Sequence, residues 1–207
     1  MKVIMMIVMA AMLCMGCGLL DQGVQKYDTL VDKDEKCEQA WSNYESNLQR
    51  RADMIPQIVS VVKGSAAHEE QTLTAVINAR AAATQIKLTG EDLTDPAKVK
   101  AFQEAQAQLK GSLSRLMMVQ EKYPDLQANK GFHDLQIQIE GTENRLLRAR
   151  EQYNTAVQAY NLELRRVSGK VINPVTGHEF KQRVYFKMDA GSEKAPTIDF
   201  SKPDSGK

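Results

Sequence analysis

Tyr27, Asp34, Trp41, Leu48, Ile55 and Val62 stand seven residues apart, and Leu30, Cys37, Tyr44 and Ile58 form a companion row three residues later. A seven-residue step returns a side chain to nearly the same face after two helical turns, so the paired rows predict one long helix with a coiled-coil-like seam. The pattern recurs at Phe102, Leu109, Leu116 and Tyr123, and again at Phe132, Ile139, Leu146, Tyr153, Tyr160 and Val167. A weaker version passes through Leu73, Val76, Ile77 and Thr84 to Leu88. Eight of the twelve aromatic residues lie on these rows, which favours rings packed in a core over rings lining a cofactor slot.

The breaks between rows agree with four helices. Gly64-Ser65 closes the first and 89–92 (Thr-Gly-Glu-Asp) the second. Thr94-Asp95-Pro96 opens the third, a capping residue ahead of a first-turn proline. Tyr123-Pro124-Asp125 ends it, and Asn129 caps the fourth. Short connections force neighbouring helices antiparallel, and a seven-residue repeat favours shallow crossing. The expected fold is all-α: an elongated antiparallel up-and-down four-helix bundle over 21–167, with an export or anchor segment over 1–20 and an irregular, extended tail over 168–207. Pro56 is the local conflict, since it removes a helical hydrogen bond at a cost of about 3 kcal/mol. The unbroken row from Leu48 to Val62 favours a bend within one helix, and the alternative is a restart with Asp53 as N-cap. In the tail, Phe180, Val184, Phe186 and Met188 share the parity of an extended segment, an arm laid on the bundle or on a partner. Residues 201–207 read as disordered.

Lys2 precedes residues 3–20, which carry no charge and are rich in Met, Val, Ile, Leu and Ala. Eighteen helical residues span about 27 Å, slightly under a bilayer's ~30 Å apolar core, so the length suits a secretory signal better than a permanent span. Leu13-Cys14-Met15-Gly16-Cys17-Gly18 resembles a bacterial lipobox, with Gly16 before a lipidated Cys17 and Cys14 standing where leucine is usual. The alternative is an uncut single-pass anchor. Either way Lys2 stays inside and the body lies on the far side of the membrane. Cleavage would leave Cys37 as the only thiol and no intramolecular disulfide.

Twenty-seven Lys and Arg against 26 Asp and Glu give a formal charge of +1, so no basic surplus points to nucleic acid. His68-Glu69 begins like a zinc-protease motif, but position 72 is Thr72. None of the three histidines has a glutamate three residues before it, as a di-iron bundle would require. Neither a phosphate loop nor a Gly-x-Ser-x-Gly elbow occurs. Cys37 lies on an apolar row as an inert thiol. No catalytic, cofactor-binding or metal-ligating residue is therefore expected, and no cofactor.

The polar density inside the helices is more pointed. Arg50, Arg51 and Asp53 in the first helix and Glu143, Asn144 and Arg145 in the fourth form a candidate interhelical or partner-binding cluster. Arg51 occupies an otherwise apolar companion-row position, so it requires a partner, with Asp53, Glu140 and Glu143 as candidates. Gly141 would let helices approach closely.

These stretches carry a resemblance. Residues 49–56 (Gln-Arg-Arg-Ala-Asp-Met-Ile-Pro), Leu113-Ser114-Arg115-Leu116, Tyr123-Pro124-Asp125-Leu126, 140–145 (Glu-Gly-Thr-Glu-Asn-Arg) and the pairs Tyr153-Asn154 and Tyr160-Asn161 resemble the LemA family of bacterial envelope proteins. Trp41, Ala67-His68-Glu69 and the tail residues Tyr185-Phe186, Ala195-Pro196 and Asp199-Phe200 follow in the same order. The resemblance implies a membrane-held four-helix bundle and no activity. Many members look singly anchored, whereas this chain has a near-lipobox. The expected protein is a non-catalytic, membrane-anchored binding or scaffolding bundle of the cell envelope, on the outer membrane or the periplasmic side of the inner membrane in a Gram-negative cell. Its expected partners are the membrane, through the lipid or anchor helix, and another envelope protein, but not nucleic acid or metal. The alternatives are an envelope hydrolase using Arg50, Asp53, Glu143 and Arg145, or a self-assembling structural protein.

Overall fold

The computed structural model describes residues 2–66, 68–166 and 179–187, with side chains from residue 24 onward. The side chains of Cys14 and Cys17, and residues 167–178 and 188–207, which include Val167, Met188 and 201–207, lie outside that description. Among the described residues the chain is all-helical: α1 (Lys2–Ser65), α2 (Glu70–Gln85), α3 (Pro96–Met118), the single turn α4 (Pro124–Gln127) and α5 (Lys130–Arg165), with 3-10 turns at Asp92–Thr94 and Val119–Lys122. Among them no helix is long and apolar enough to cross a membrane; the run 3–20 falls outside the described side chains.

The rows become the core. Trp41, Leu48, Ile55 and Val62 of α1, Phe102, Leu109 and Leu116 of α3, and Phe132, Ile139, Leu146, Tyr153 and Tyr160 of α5 are all buried. Each such side chain contributes about 1.5–3 kcal/mol by leaving water. The punctuation holds where a cap defines it. Asp95 accepts hydrogen bonds from the Ala97 and Lys98 amides, with Pro96 in the first turn, and the Asn129 side chain accepts from the Phe132 amide. Two details differ from expectation. α2 stops at Gln85 and Ile77 in its middle is half exposed, and the α3–α5 connection gains a short helix around Pro124.

Pro56 lies inside an unbroken α1. Its missing N–H would have bonded the Ala52 carbonyl, and Arg80 of α2 supplies a substitute: its Nε donates to Ala52 O at 2.8 Å. A neighbouring helix thus satisfies the group that proline orphans, which is why the helix need not restart.

The core has two apolar sections separated by a polar layer. One section holds Leu30–Leu48 positions of α1 with Leu88, Leu93, Phe102, Leu146, Tyr153 and Tyr160. The other holds Met54, Ile55, Ile58 and Val62 with α2, Leu109, Leu116, Phe132 and Ile139. Buried Arg51 sits between them. Because α2 is only 16 residues long, its buried side chains serve the second section alone. The first section is completed by the arm 179–187.

That arm is part of the core. Phe186 is 2% exposed and stacks on Trp41 at 5.6 Å and 7°, with Tyr44, Phe102 and Tyr153 at 5.5, 6.0 and 5.0 Å. Two asparagines of α5 hold the arm's backbone as a strand neighbour would. Asn154 Nδ2 donates to the Phe186 carbonyl and its Oδ1 accepts from the Phe186 amide, at 2.8 and 2.9 Å. Asn161 treats Arg183 identically, at 2.8 and 3.0 Å. The spacing explains the register. Seven helical residues advance about 10.5 Å, close to the ~10 Å of three extended residues, so asparagines seven apart meet arm residues three apart. On the other edge, the Val184 amide donates to Leu93 O at 2.8 Å.

Candidate functional site

The sequence places Arg51 on an apolar row, and the structure shows how its charge is accommodated. Its Nη1 donates to Glu143 Oε1 of α5 at 2.9 Å, and its Nη2 donates to Gln106 Oε1 of α3. Gln106 is itself fixed, since its Nε2 donates to Ala83 O of α2 at 3.1 Å. Four helices are thereby tied through one guanidinium that is 3% exposed. Its Nε is buried and has no acceptor among the described residues. The protein supplies Arg51 with one carboxylate and one amide, fewer acceptors than its five N–H groups could use.

Of the three candidate carboxylates, Glu143 is the partner. Asp53 faces solvent and accepts from Gln49 one turn away, and exposed Glu140 accepts from Gln136. Arg50 and Arg145 are exposed, as is Asn144. The cluster therefore divides: Arg51, Glu143 and Asn144 border one cavity, while Arg50, Asp53 and Arg145 stay outside it. Gly141 is corrected: a Cβ there would meet nothing within 4 Å, so no close helix approach requires it. The lipidation candidate Cys17 lies outside the described side chains.

The cavity beside Arg51 has a volume of about 190 Å³ and opens between α1, α3, α5 and the arm. Lys110, Arg150 and Lys187 join Arg51 around it, with Glu143 the one carboxylate among the described lining residues.

A second buried arginine was not foreseen. Arg183 on the arm is 6% exposed; its Nε donates to Asp34 Oδ1 at 2.9 Å and its Nη2 to Glu38 Oε1 at 2.5 Å. Although burial alone would lower it, hydrogen bonds and charge from these carboxylates hold the guanidinium proton above the ordinary arginine range. The guanidinium also lies over the Tyr160 ring at 5.8 Å, a cation–π contact. Burial pushes the Tyr153 and Tyr160 hydroxyls up, so both stay protonated and donate to arm carbonyls of Val184 and Lys181. Two sequence signals could have revealed this lock: Asp34 standing on an apolar row, and Asn154 and Asn161 seven apart beside the aromatic row.

Among the described residues no group of three or more His, Cys, Asp or Glu side chains is placed to hold a metal ion. His68 and His133 are both exposed. A family model described as the LemA family matches residues 40–200, a span that takes in both arginine sites and the arm. No curated protein matches the chain.

Proposed function

The chain belongs to the LemA family, and from that premise we propose that it is a non-catalytic protein of the bacterial cell envelope, anchored to a membrane by residues 1–20. Its body, an elongated antiparallel up-and-down four-helix bundle over 21–167, presents a rigid surface to another envelope protein, outside the cytoplasm. The tail over 168–207 contributes its arm to that rigidity.

The observation that carries this reading is the continuity of α1 from Lys2 to Ser65. The apolar run 3–20 is the first ~27 Å of the helix that goes on to build the core. Only residues 21–29 separate it from Leu30, the first fully buried side chain among the described residues, a stalk of about 13 Å. An anchor so joined holds the body at a fixed orientation rather than on a flexible tether, and lipidation at Cys17 would act through the same stalk. With 26 charges of each sign beyond Cys17, bulk attraction to anionic lipid contributes little, so attachment falls to the N-terminus. The exposed Arg50, Asp53 and Arg145 supply a polar face for recognition.

Fractionation of a bacterium expressing the full chain, with mass spectrometry of the mature N-terminus, tests this. Expected is a salt-resistant membrane protein carrying either a lipid on Cys17, lost in Cys17→Ala, or an intact Met1. A cleaved, lipid-free chain in the soluble fraction would overturn the anchor. A membrane pull-down that returns only the chain itself would count against the partner.

A further inference from the structure

We propose that the cavity beside Arg51 is the docking site of this chain's own tail just beyond the arm, residues 188–190, with the Asp189 carboxylate turned into it. The arm itself sets the register. Phe180, Arg183 and Phe186 are buried and Val184 is half-buried, whereas Lys181, Gln182, Tyr185 and Lys187 are exposed. Full burial therefore recurs at every third residue, the period of a polyproline II-like segment, and not at every second as in a strand. The next position of that series is Asp189.

Two helices show where this position falls. On α5, Asn161 holds Arg183 and Asn154 holds Phe186, so three arm residues match seven of the helix. One further step brings Asp189 opposite Leu147. On α1, Asp34 and Glu38 meet Arg183, and Trp41 and Tyr44 meet Phe186. The same seven-residue step from Trp41 and Tyr44 arrives at Leu48 and Arg51. Leu147 and Arg51 both line the cavity, so two tracks that begin on different helices converge on one space. The arm also points there: Lys187 is a lining residue, and its carbonyl accepts from Gln103 Nε2 at 3.3 Å.

The order of charges fits this placement. At Arg183 the arm brings the cation and α1 the carboxylates. At Arg51 the bundle brings the cation, and Asp189 is the first acidic residue of the chain after Glu179. Glu143, half-buried, is the one carboxylate bonded to Arg51 among the described residues. A second carboxylate close to a guanidinium that is 3% exposed offsets more of the cost of burying its charge. The cavity, about 190 Å³, equals roughly six waters at ~30 Å³ each, room enough for the short CH2–COO⁻ side chain of an aspartate. The arm then carries opposite charges at Arg183 and Asp189, each set into its own layer of the bundle, and the cavity is a socket for the tail rather than a site for an outside ligand. This docking depends on neither the membrane anchor nor an envelope partner.

Amide hydrogen exchange of the full chain in uncharged maltoside micelles, resolved residue by residue by NMR, tests it. Expected at residues 188–190 is exchange at least tenfold slower than in a free chain of the same sequence. Asp189→Asn should bring these amides to within threefold of the free-chain rate while the Arg183 and Phe186 amides keep their protection, the sign of a local release rather than a loss of fold. Glu193→Gln, which removes the next carboxylate but lies off the three-residue series, should leave 188–190 within twofold. In the same sample a nuclear Overhauser contact between the Asp189 amide and the Leu147 methyls is expected. Free-chain exchange at 188–190 in the unsubstituted protein, or absence of the contact with Leu147, would overturn the docking. Unchanged protection in Asp189→Asn, or an equal loss from Glu193→Gln, would overturn Asp189 as the group that enters the cavity.

Discussion

Arg51 and Arg183 are both buried arginines with carboxylate partners on a neighbouring element, yet they solve the burial of a charge in opposite ways. Arg183 meets two carboxylates, Asp34 and Glu38, and the cavity on its side is lined by four acidic residues and only one other cation, Lys181. Arg51 meets one carboxylate and one amide, and each guanidinium keeps one buried nitrogen without an acceptor among the described residues, Nε of Arg51 and Nη1 of Arg183. An overmatched arginine is a lock, since its surroundings hold its charge in place. An arginine with one carboxylate and one amide is instead a tie, joining helices through a charged and a neutral acceptor. The same residue type at similar burial therefore fastens the arm to α1 at one site and ties four helices together at the other.

The largest break in this contrast comes from removing what the lock protects. Phe186→Ala deletes the ring at the centre of the aromatic cluster and is expected to cost about 3–5 kcal/mol in urea unfolding followed by the fluorescence of Trp41, the single tryptophan, which stacks on it. Arg183→Met is expected to cost about 3 kcal/mol, because two carboxylates lose their partner, and partial exposure of both keeps the loss from being larger. Arg51→Met is expected to cost less, about 1–2 kcal/mol, since one carboxylate rather than two loses its partner. Equal losses at the two arginines would erase the distinction. Away from both, Arg80→Met should cost about 1 kcal/mol by orphaning the Ala52 carbonyl, and much of that cost should vanish in a Pro56→Ala background, where the helix bonds that carbonyl itself.

The smallest effect concerns Cys37, packed beside the lock. Burial pushes its thiol from the ordinary 9.0 up to about 11. The folded chain holds this proton more tightly than the unfolded one, so the thiol's contribution to stability is intact below pH 9 and declines as pH rises through about 11. Native Cys37 should resist alkylation at pH 8 and react at the rate of unfolding, which Arg183→Met should raise.

Much of this was legible in the sequence, and the physical reason is periodicity. Rows such as Leu48, Ile55 and Val62, or Phe132, Ile139 and Leu146, define buried faces because a helix repeats its geometry, and Asp95 and Asn129 declare themselves because capping is local. The need of Arg51 for a partner was legible too, and Glu143 was among the candidates. Gln106 was not, since an amide on a third helix leaves no charge pattern to pair with. The arm was foreseen as an extended segment but not as core. Nine residues carry too few alternations to reveal depth, and the contacts that bury them join positions such as 34 and 183, 149 residues apart. Gly141 misled because a small residue in a helix implies close packing only when a neighbour occupies the space.

The claim on which both halves of the contrast depend is that residues 179–187 are locked into the core, closing one arginine and placing Lys187 beside the other. Amide hydrogen exchange of the full chain in detergent reports on it directly, through the amides of Arg183, Val184 and Phe186, bonded to Asn161, Leu93 and Asn154. These amides should exchange as slowly as those of Tyr153 and Val157 in α5, opening only with global unfolding. Exchange at the rate of a free chain would contradict the account.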